Sequence, residues 1–200
     1  MRRLVLLRHV ESTADSADRF LGSSDPDLSA AGREQMRLAA ARLRGEGCDA
    51  VASSPLRRAW QSARLLAEGR PVRLLDAFRD IPLGRWEGLT RDEVRAADPV
   101  RFEDWEKDAP GFEYPGGETG ATFRARVEDG LRQLASSPGH SALVVTHAGV
   151  IREIARLLTG TAPDKDTPAL GHWLEIVAEP DGSWRLGRRS SNPPGLVSAA

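Results

Sequence analysis

Cysteine is nearly absent from this 200-residue chain. Cys48 stands alone, so no intrachain disulfide can form. Burial and hydrogen bonding must hold the fold, and a reducing, cytoplasmic setting is expected. Neither sign of charge dominates. Twenty-eight Lys and Arg face 29 Asp and Glu, which leaves a net charge of −1 and a pI near 6.4. That balance argues against binding driven by bulk positive charge, so neither nucleic acid nor a membrane surface is an expected partner. Long apolar runs are missing too. Stretches such as Leu4 to Leu7 and Ala142 to Val145 fall far short of a membrane span. Met1-Arg2-Arg3 precedes the first of them, but Arg8-His9 ends that run too early for a secretion signal. Lysine is scarce, with only Lys107 and Lys165. Basic charge is therefore carried by arginine, whose planar fork of donors suits carboxylate and phosphate. The Walker loop, the Rossmann glycine pattern, the Gly-x-Ser-x-Gly elbow and His-Glu-x-x-His spacing are all missing. A cysteine-based phosphate loop would need Arg six positions beyond Cys48, where Ser54 stands.

What is present reads as an ordinary globular domain. Hydrophobic residues make up 40% and charged residues 28%, enough to bury a core in a single domain over 1–200. Continuous aliphatic runs at 4–7 and 142–145 read as strands buried on both faces. Asp49 to Ser53 and Val72 to Leu75 read as further strands. Ser29 can cap a helix from Ala30 to Arg44, with Met36, Ala39, Ala40 and Leu43 on one side. Ser54 and Pro55 would start a helix to Ala67. Thr90 with Glu93 forms a capping box. Thr119 would cap a long helix with Phe123, Val127, Leu131 and Leu134 on one face, and another helix spans Ala148 to Leu158. Leu170 to Ala178 and Trp184 to Arg188 form a hairpin turned at Pro180-Asp181-Gly182. The segment 86–118, with Phe102, Trp105, Phe112 and Tyr114, reads as a cap-like insertion. Residues 190–200 read as a loose tail. Alternating strands and helices predict an α/β three-layer sandwich, with a mostly parallel sheet covered on both faces.

In such sheets ligands bind beyond the carboxyl ends of the strands. Two strands end in His, at Arg8-His9 and Thr146-His147. A third strand runs into Ser53-Ser54-Pro55-Leu56-Arg57-Arg58-Ala59, and a helix start attracts anions. Two imidazoles and several guanidinium groups at one edge would make an anion trap that a hydrophobic core does not require. His140 is read as an exposed loop residue and His172 as structural.

These residues resemble a known family. Arg8-His9-Val10-Glu11-Ser12 resembles the Arg-His-Gly-Glu-Thr signature of the histidine phosphatase superfamily, which has a phosphoglycerate-mutase-like fold. Arg19-Phe20-Leu21-Gly22 with Asp25 and Leu28-Ser29 resembles the family's first loop. Ser53 to Ala59 resembles its second arginine segment. Phe78-Arg79-Asp80-Ile81-Pro82-Leu83-Gly84-Arg85-Trp86-Glu87-Gly88 resembles its acid-bearing segment. Pro115-Gly116-Gly117-Glu118-Thr119 and Val144 to Arg152 complete the series in the family's order, from Leu4 to about Val177.

The resemblance implies a phosphomonoesterase acting on a small phosphorylated metabolite without metal or cofactor. His9 would form a phosphohistidine. Arg8, Arg58 and His147 would hold the non-bridging oxygens, and water would release phosphate. Asp80, where the family has Glu, would be the general acid, ahead of Asp76 and Glu87. Ser12, Asp15, Arg19, Leu21 and Ala148 are the further implied substrate contacts. Val10 replaces the signature glycine, Asp15 a common Asn and Leu21 the usual Gln. Two alternatives stay open: a phosphoglycerate-type phosphomutase, and a weakly catalytic module that binds phosphorylated ligands. A homodimer also stays open.

Overall fold

The computed structural model describes residues 1–14, 19–43, 46–165 and 167–190. Asp15 and the tail beyond Ser190 therefore lie outside the described residues. Strand β1 (Arg3–Arg8) and strand β4 (Ser141–Thr146) are nearly continuous aliphatic runs, and both are buried along their middles. They pair in parallel, with Leu4 opposite Ala142 and Arg8 opposite Thr146. This register ends both strands at the same height. On the far side of β4, strand β2 (Ala50–Ser53) is also parallel, with Ser53 opposite Val145. Strand β3 (Val72–Leu74) extends that side. Strands β5 (Trp173–Ala178) and β6 (Trp184–Arg189) add an antiparallel hairpin beside β1. The six-stranded order is β3-β2-β4-β1-β5-β6. The chain moves outward from β2 to β3 and later returns to insert β4 between β2 and β1. That reversal is where an open α/β sheet makes its ligand crevice.

Side chains alternate across β1. Leu4 and Leu6 join Ala142, Val144 and Ile176 in one apolar core, whereas Val5 and Leu7 join Leu143 and Val145 in another. Helices α5 (Gly120–Ala135) and α6 (Ala148–Thr159) cover the first face through Phe123, Val127, Leu134, Ile151 and Ile154. Helices α1 (Ala30–Leu43) and α2 (Arg57–Ala67) cover the second through Met36, Ala39, Ala59, Ala63 and Leu66. Each fully buried Leu or Val contributes roughly 1.5–3 kcal/mol, so the paired runs are the centre of stability. Between β3 and α5, helices α3 (Arg91–Ala97) and α4 (Pro99–Glu106) carry a third apolar cluster. There Trp86 packs against Phe20, Phe112 and Tyr114, with ring centroids 5.3, 5.6 and 5.6 Å away. Among the described residues no helix is long and apolar enough to cross a membrane.

Several element bounds depart from the sequence reading. The Thr90–Glu93 capping box is present, and Thr119 caps α5 by accepting from Thr122 N. Helix α2, however, starts at Arg57 rather than at Pro55. Leu56 is extended (φ −61°, ψ 135°), and Ser54 Oγ accepts from Leu56 N at 3.2 Å. β5 starts at Trp173 rather than Leu170, because Gly171 (φ +71°) turns the chain across the end of β1. Its amide donates to Arg8 O and His9 O, a geometry outside a strand ladder. Asp49 precedes β2, and its carboxylate instead accepts from the amides of His140 and Ser141.

Candidate active site

The shared strand height delivers both imidazoles to one place. His9 and His147 are buried, and their ring centroids lie 5.1 Å apart. His9 Nδ1 sits 2.8 Å from its neighbour's carbonyl, Val10 O. A carbonyl only accepts, so Nδ1 must carry the proton and Nε2 holds a lone pair. Arg58 Nε donates to that Nε2 at 3.3 Å. Burial, then the charges of Arg58 and Arg8, push His9 well below the ordinary imidazole value. The ring is therefore neutral at neutral pH, as a nitrogen nucleophile must be.

Arg58, on the first turn of α2, is wholly buried and joins the parts of the site. Its Nη1 donates to Ser24 O at 2.5 Å and its Nη2 to Gly22 O at 2.9 Å. Nη2 also donates to Asp80 Oδ2 at 3.1 Å. His147 caps α6. Its Nε2 lies 2.9 Å from Ser54 Oγ, and its Nδ1 faces Asp80 Oδ2 at 3.6 Å. Nδ1 is buried and makes no hydrogen bond among the described residues. Burial, Arg58 and the neighbouring His9 push His147 well below its ordinary value as well. An arriving phosphate would reverse that balance and favour the charged ring.

Asp80 follows the turn Asp76–Phe78, and burial raises its carboxyl above the usual aspartate range despite the pull of Arg58. Its loop is clamped from α5. Arg126 Nη1 donates to Ala77 O at 2.9 Å and Arg79 O at 2.7 Å, and Nη2 to Asp80 O at 3.1 Å. Glu118 accepts from Arg126 Nε at 2.8 Å and fixes the fork. The next stretch is clasped as well. Gly84 has φ +59°, and a Cβ there would sit 2.3 Å from Pro115 O. Glu87 holds the facing loop by accepting from Ser23 N at 2.8 Å and Leu83 N at 3.1 Å.

The remaining candidates are spread over the cavity. Its volume is about 850 Å³, and Arg8, Arg19, Leu21 and Ala148 line it with His9, Arg58 and Asp80. Arg8 Nη1 reaches Pro168 O at 3.3 Å. Arg19 is held by Gly88 O at 2.6 Å and Glu93 at 3.4 Å. Ser12 is buried, bridged to Leu28, and is not on the cavity wall. Asp15 lies outside the described residues. The buried Val10 belongs to the core under α1 and α2. The sequence reading missed the Arg126–Glu118 clamp, the Ser54 contact and the outer arginines Arg91, Arg124, Arg152 and Arg156. The only signal for the clamp was a Glu and an Arg eight positions apart, at a helix start.

A sequence model of the histidine phosphatase superfamily (branch 1) matches residues 4–182. The chain belongs to this superfamily. Phosphoserine phosphatase 1 of Hydrogenobacter thermophilus is 32% identical over 163 residues, covering 80% of this chain and 77% of the relative. Glucosyl-3-phosphoglycerate phosphatase of Mycobacterium tuberculosis is 33% identical over 202 residues, covering 93% and 88%. Among solved structures, a mycobacterial glucosyl-3-phosphoglycerate phosphatase in complex with VO3 superposes with a TM-score of 0.80. Identity is 30% over 94% of this chain and 98% of that one. The α-ribazole phosphatase of Shigella flexneri superposes at 0.77, with 26% identity over 92% and 95%. This histidine phosphatase therefore has the phosphoglycerate-mutase-like α/β fold and is a phosphatase.

Proposed function

We propose that this histidine phosphatase hydrolyses a small phosphomonoester through a phosphohistidine on His9 Nε2. The observation that carries the reading is the tautomer lock on His9: the Val10 carbonyl accepts a hydrogen bond from Nδ1–H, leaving the lone pair on Nε2 inside the arginine cluster. In the first step the Nε2 lone pair attacks phosphorus in line with the leaving oxygen. The N–P bond forms, the P–O bond breaks, and Asp80 gives its proton to the departing oxygen. Arg8, Arg58 and His147 hold the three non-bridging oxygens. In the second step water attacks phosphorus, gives its proton to the Asp80 carboxylate, and frees His9 and inorganic phosphate.

Asp80 suits the acid role for two reasons. Burial keeps its carboxyl protonated to higher pH than usual, and Oδ2 sits against both Arg58 and His147. An Asp in place of the family's Glu thus reaches the phosphoryl ligands. Segment 86–118 supplies Trp105, Asp108, Phe112 and Tyr114 to the cavity, which supports its reading as a cap over the leaving group. The lone, half-buried Cys48 supports a reducing, cytoplasmic setting. The test is rapid quench with a ³²P-labelled phosphomonoester. Label that is acid-labile and base-stable should appear on the protein during turnover and be lost in His9→Ala. Unimpaired turnover by His9→Ala would remove His9 as nucleophile.

A further inference from the structure

Beyond His9 the cavity is far more basic than one phosphoryl group requires. Among the described residues eight Lys and Arg side chains line it against three carboxylates, in a chain whose net charge is −1. Arg8 and Arg58 serve the phosphoryl site. Of the other six, Arg124 stands on α5 and Arg152 and Arg156 on α6. Arg152 and Arg156 stand four residues apart on α6, hence on one face of that helix. Glu153, itself buried, accepts from Arg124 Nε at 2.9 Å and also from Arg156. Two guanidinium groups thus share one internal carboxylate.

Arg152 is placed differently. It is nine-tenths buried and lines the cavity, yet the partner it reaches is Asp108, at 2.5 Å, from the loop after α4. The Asp108 side chain is more than half exposed, and its backbone is left-handed (φ +52°). An exposed carboxylate is a weak, water-screened partner. A guanidinium withdrawn from water needs an anion more than a solvated one does. Asp108 therefore occupies the place of an acid group that can displace it.

We propose that the leaving group of the natural substrate carries a second anionic group, which Arg152 binds in exchange for Asp108, with Arg124 and Arg156 adding charge. The proposal rests on the phosphatase reading and narrows its substrate class to phosphomonoesters that are also acids. A carboxylate and a second phosphate share the chemistry of the guanidinium fork.

The experiment measures kcat/KM for matched pairs. 3-Phosphoglycerate against glycerol 3-phosphate reads a carboxylate, and fructose 1,6-bisphosphate against fructose 6-phosphate reads a second phosphate. At least one acidic member should exceed its partner by tenfold or more. Arg152→Met should shrink that ratio at least tenfold, Arg152→Lys should restore part of it, and Arg37→Met on the exposed side of α1 should leave it unchanged. Asp108→Asn removes the internal competitor, and Asn tolerates the left-handed backbone. It should tighten binding of the acidic member by two- to fivefold, a gain that misfolding cannot imitate. Calorimetric binding of the same pairs to His9→Ala gives the preference without turnover. If hydrolysis fails but this preference stands, the phosphatase reading falls and the acid subsite survives. Equal binding within both pairs, or no tightening in Asp108→Asn, overturns the subsite.

Discussion

Arg126 offers a demanding test of how the acid is held. The residue lies on α5 and holds the acid through the backbone of its loop, while its charge also helps to lower His147. Replacing it with Met keeps its packing length over Phe123, whose ring centroid is 4.7 Å from the guanidinium. It removes the donors to Ala77 O, Arg79 O and Asp80 O and leaves Glu118 without its fork. Hydrogen bonds from a charged donor are worth about 1.5–3 kcal/mol each. The three are not additive, and the side chain is 21% exposed, so water replaces part of the loss. A net destabilisation of about 2–4 kcal/mol follows, which for a chain of this size lowers Tm by roughly 5–15 °C. The catalytic effect is separable from the stability effect. Freed carbonyls let the Asp80 loop drift, and a misplacement of about 1 Å can cost on the order of 100-fold in rate. An alkyl phosphate needs its leaving oxygen protonated, whereas 4-nitrophenolate leaves without help. At 20 °C, where the variant stays folded, kcat for whichever alkyl phosphate the parent enzyme turns over should fall about 10–100-fold, as that misplacement estimate implies. The loss with 4-nitrophenyl phosphate should be less than fivefold, about the rate equivalent of 1 kcal/mol. Inhibition by inorganic phosphate should change little, since Arg8, Arg58 and His147 are untouched. Equal losses on both substrates, or none on the alkyl phosphate, would refute the claim that the clamp positions the acid.

Further predictions follow from the same groups. His9 must be neutral and sits below its ordinary value, so the acid limb of kcat/KM should fall below pH 6.5. Asp80 must be protonated and sits above its ordinary 3.8, so the alkaline limb should lie above that value and vanish in Asp80→Asn. The stability signs are opposite to those of solvated pairs. A raised Asp80 stabilises the fold below its unfolded value near 3.8 and loses that contribution as pH rises through its folded value. Asp80→Asn should therefore raise Tm at pH 7 and leave it nearly unchanged near pH 3.5, by calorimetry. His9 and His147, both lowered, stabilise fully above pH 6.5 and lose that contribution as pH falls toward their folded values. Tm should drop on acidification in that window, and less so in His147→Gln. Leu6, fully buried between β4 and β5, should cost about 2–5 kcal/mol as Leu6→Ala in denaturant unfolding.

The order of motifs and the strand-end histidines were legible because a continuous aliphatic run can only be satisfied inside a covered sheet. From that the layers and a mostly parallel sheet follow, whereas the pairing of β1 with β4, which brings the two histidines together, belongs to the tertiary structure. Local chemistry was legible too: Thr90 and Thr119 cap helices because their hydroxyls reach an amide three residues on, a contact that needs no tertiary partner. Pairings between distant segments were not. Gly171 reads as part of a strand until β1 arrives to occupy its amide, and the Ser54 hydroxyl meets His147 only once β4 lies beside β2. Ser12 carries a motif position yet is buried off the cavity wall, its hydroxyl accepting from Ala14 N, and Arg126 finds its carbonyls only where α5 crosses the Asp80 loop. The sequence by itself determined which side chains carry the chemistry and which strand ends present them. Only the tertiary structure decided which nitrogen of His9 holds the lone pair, what raises Asp80, and where the surplus arginines gather. Each of those depends on the carbonyls, charges and buried surface that a residue meets after the chain has closed on itself.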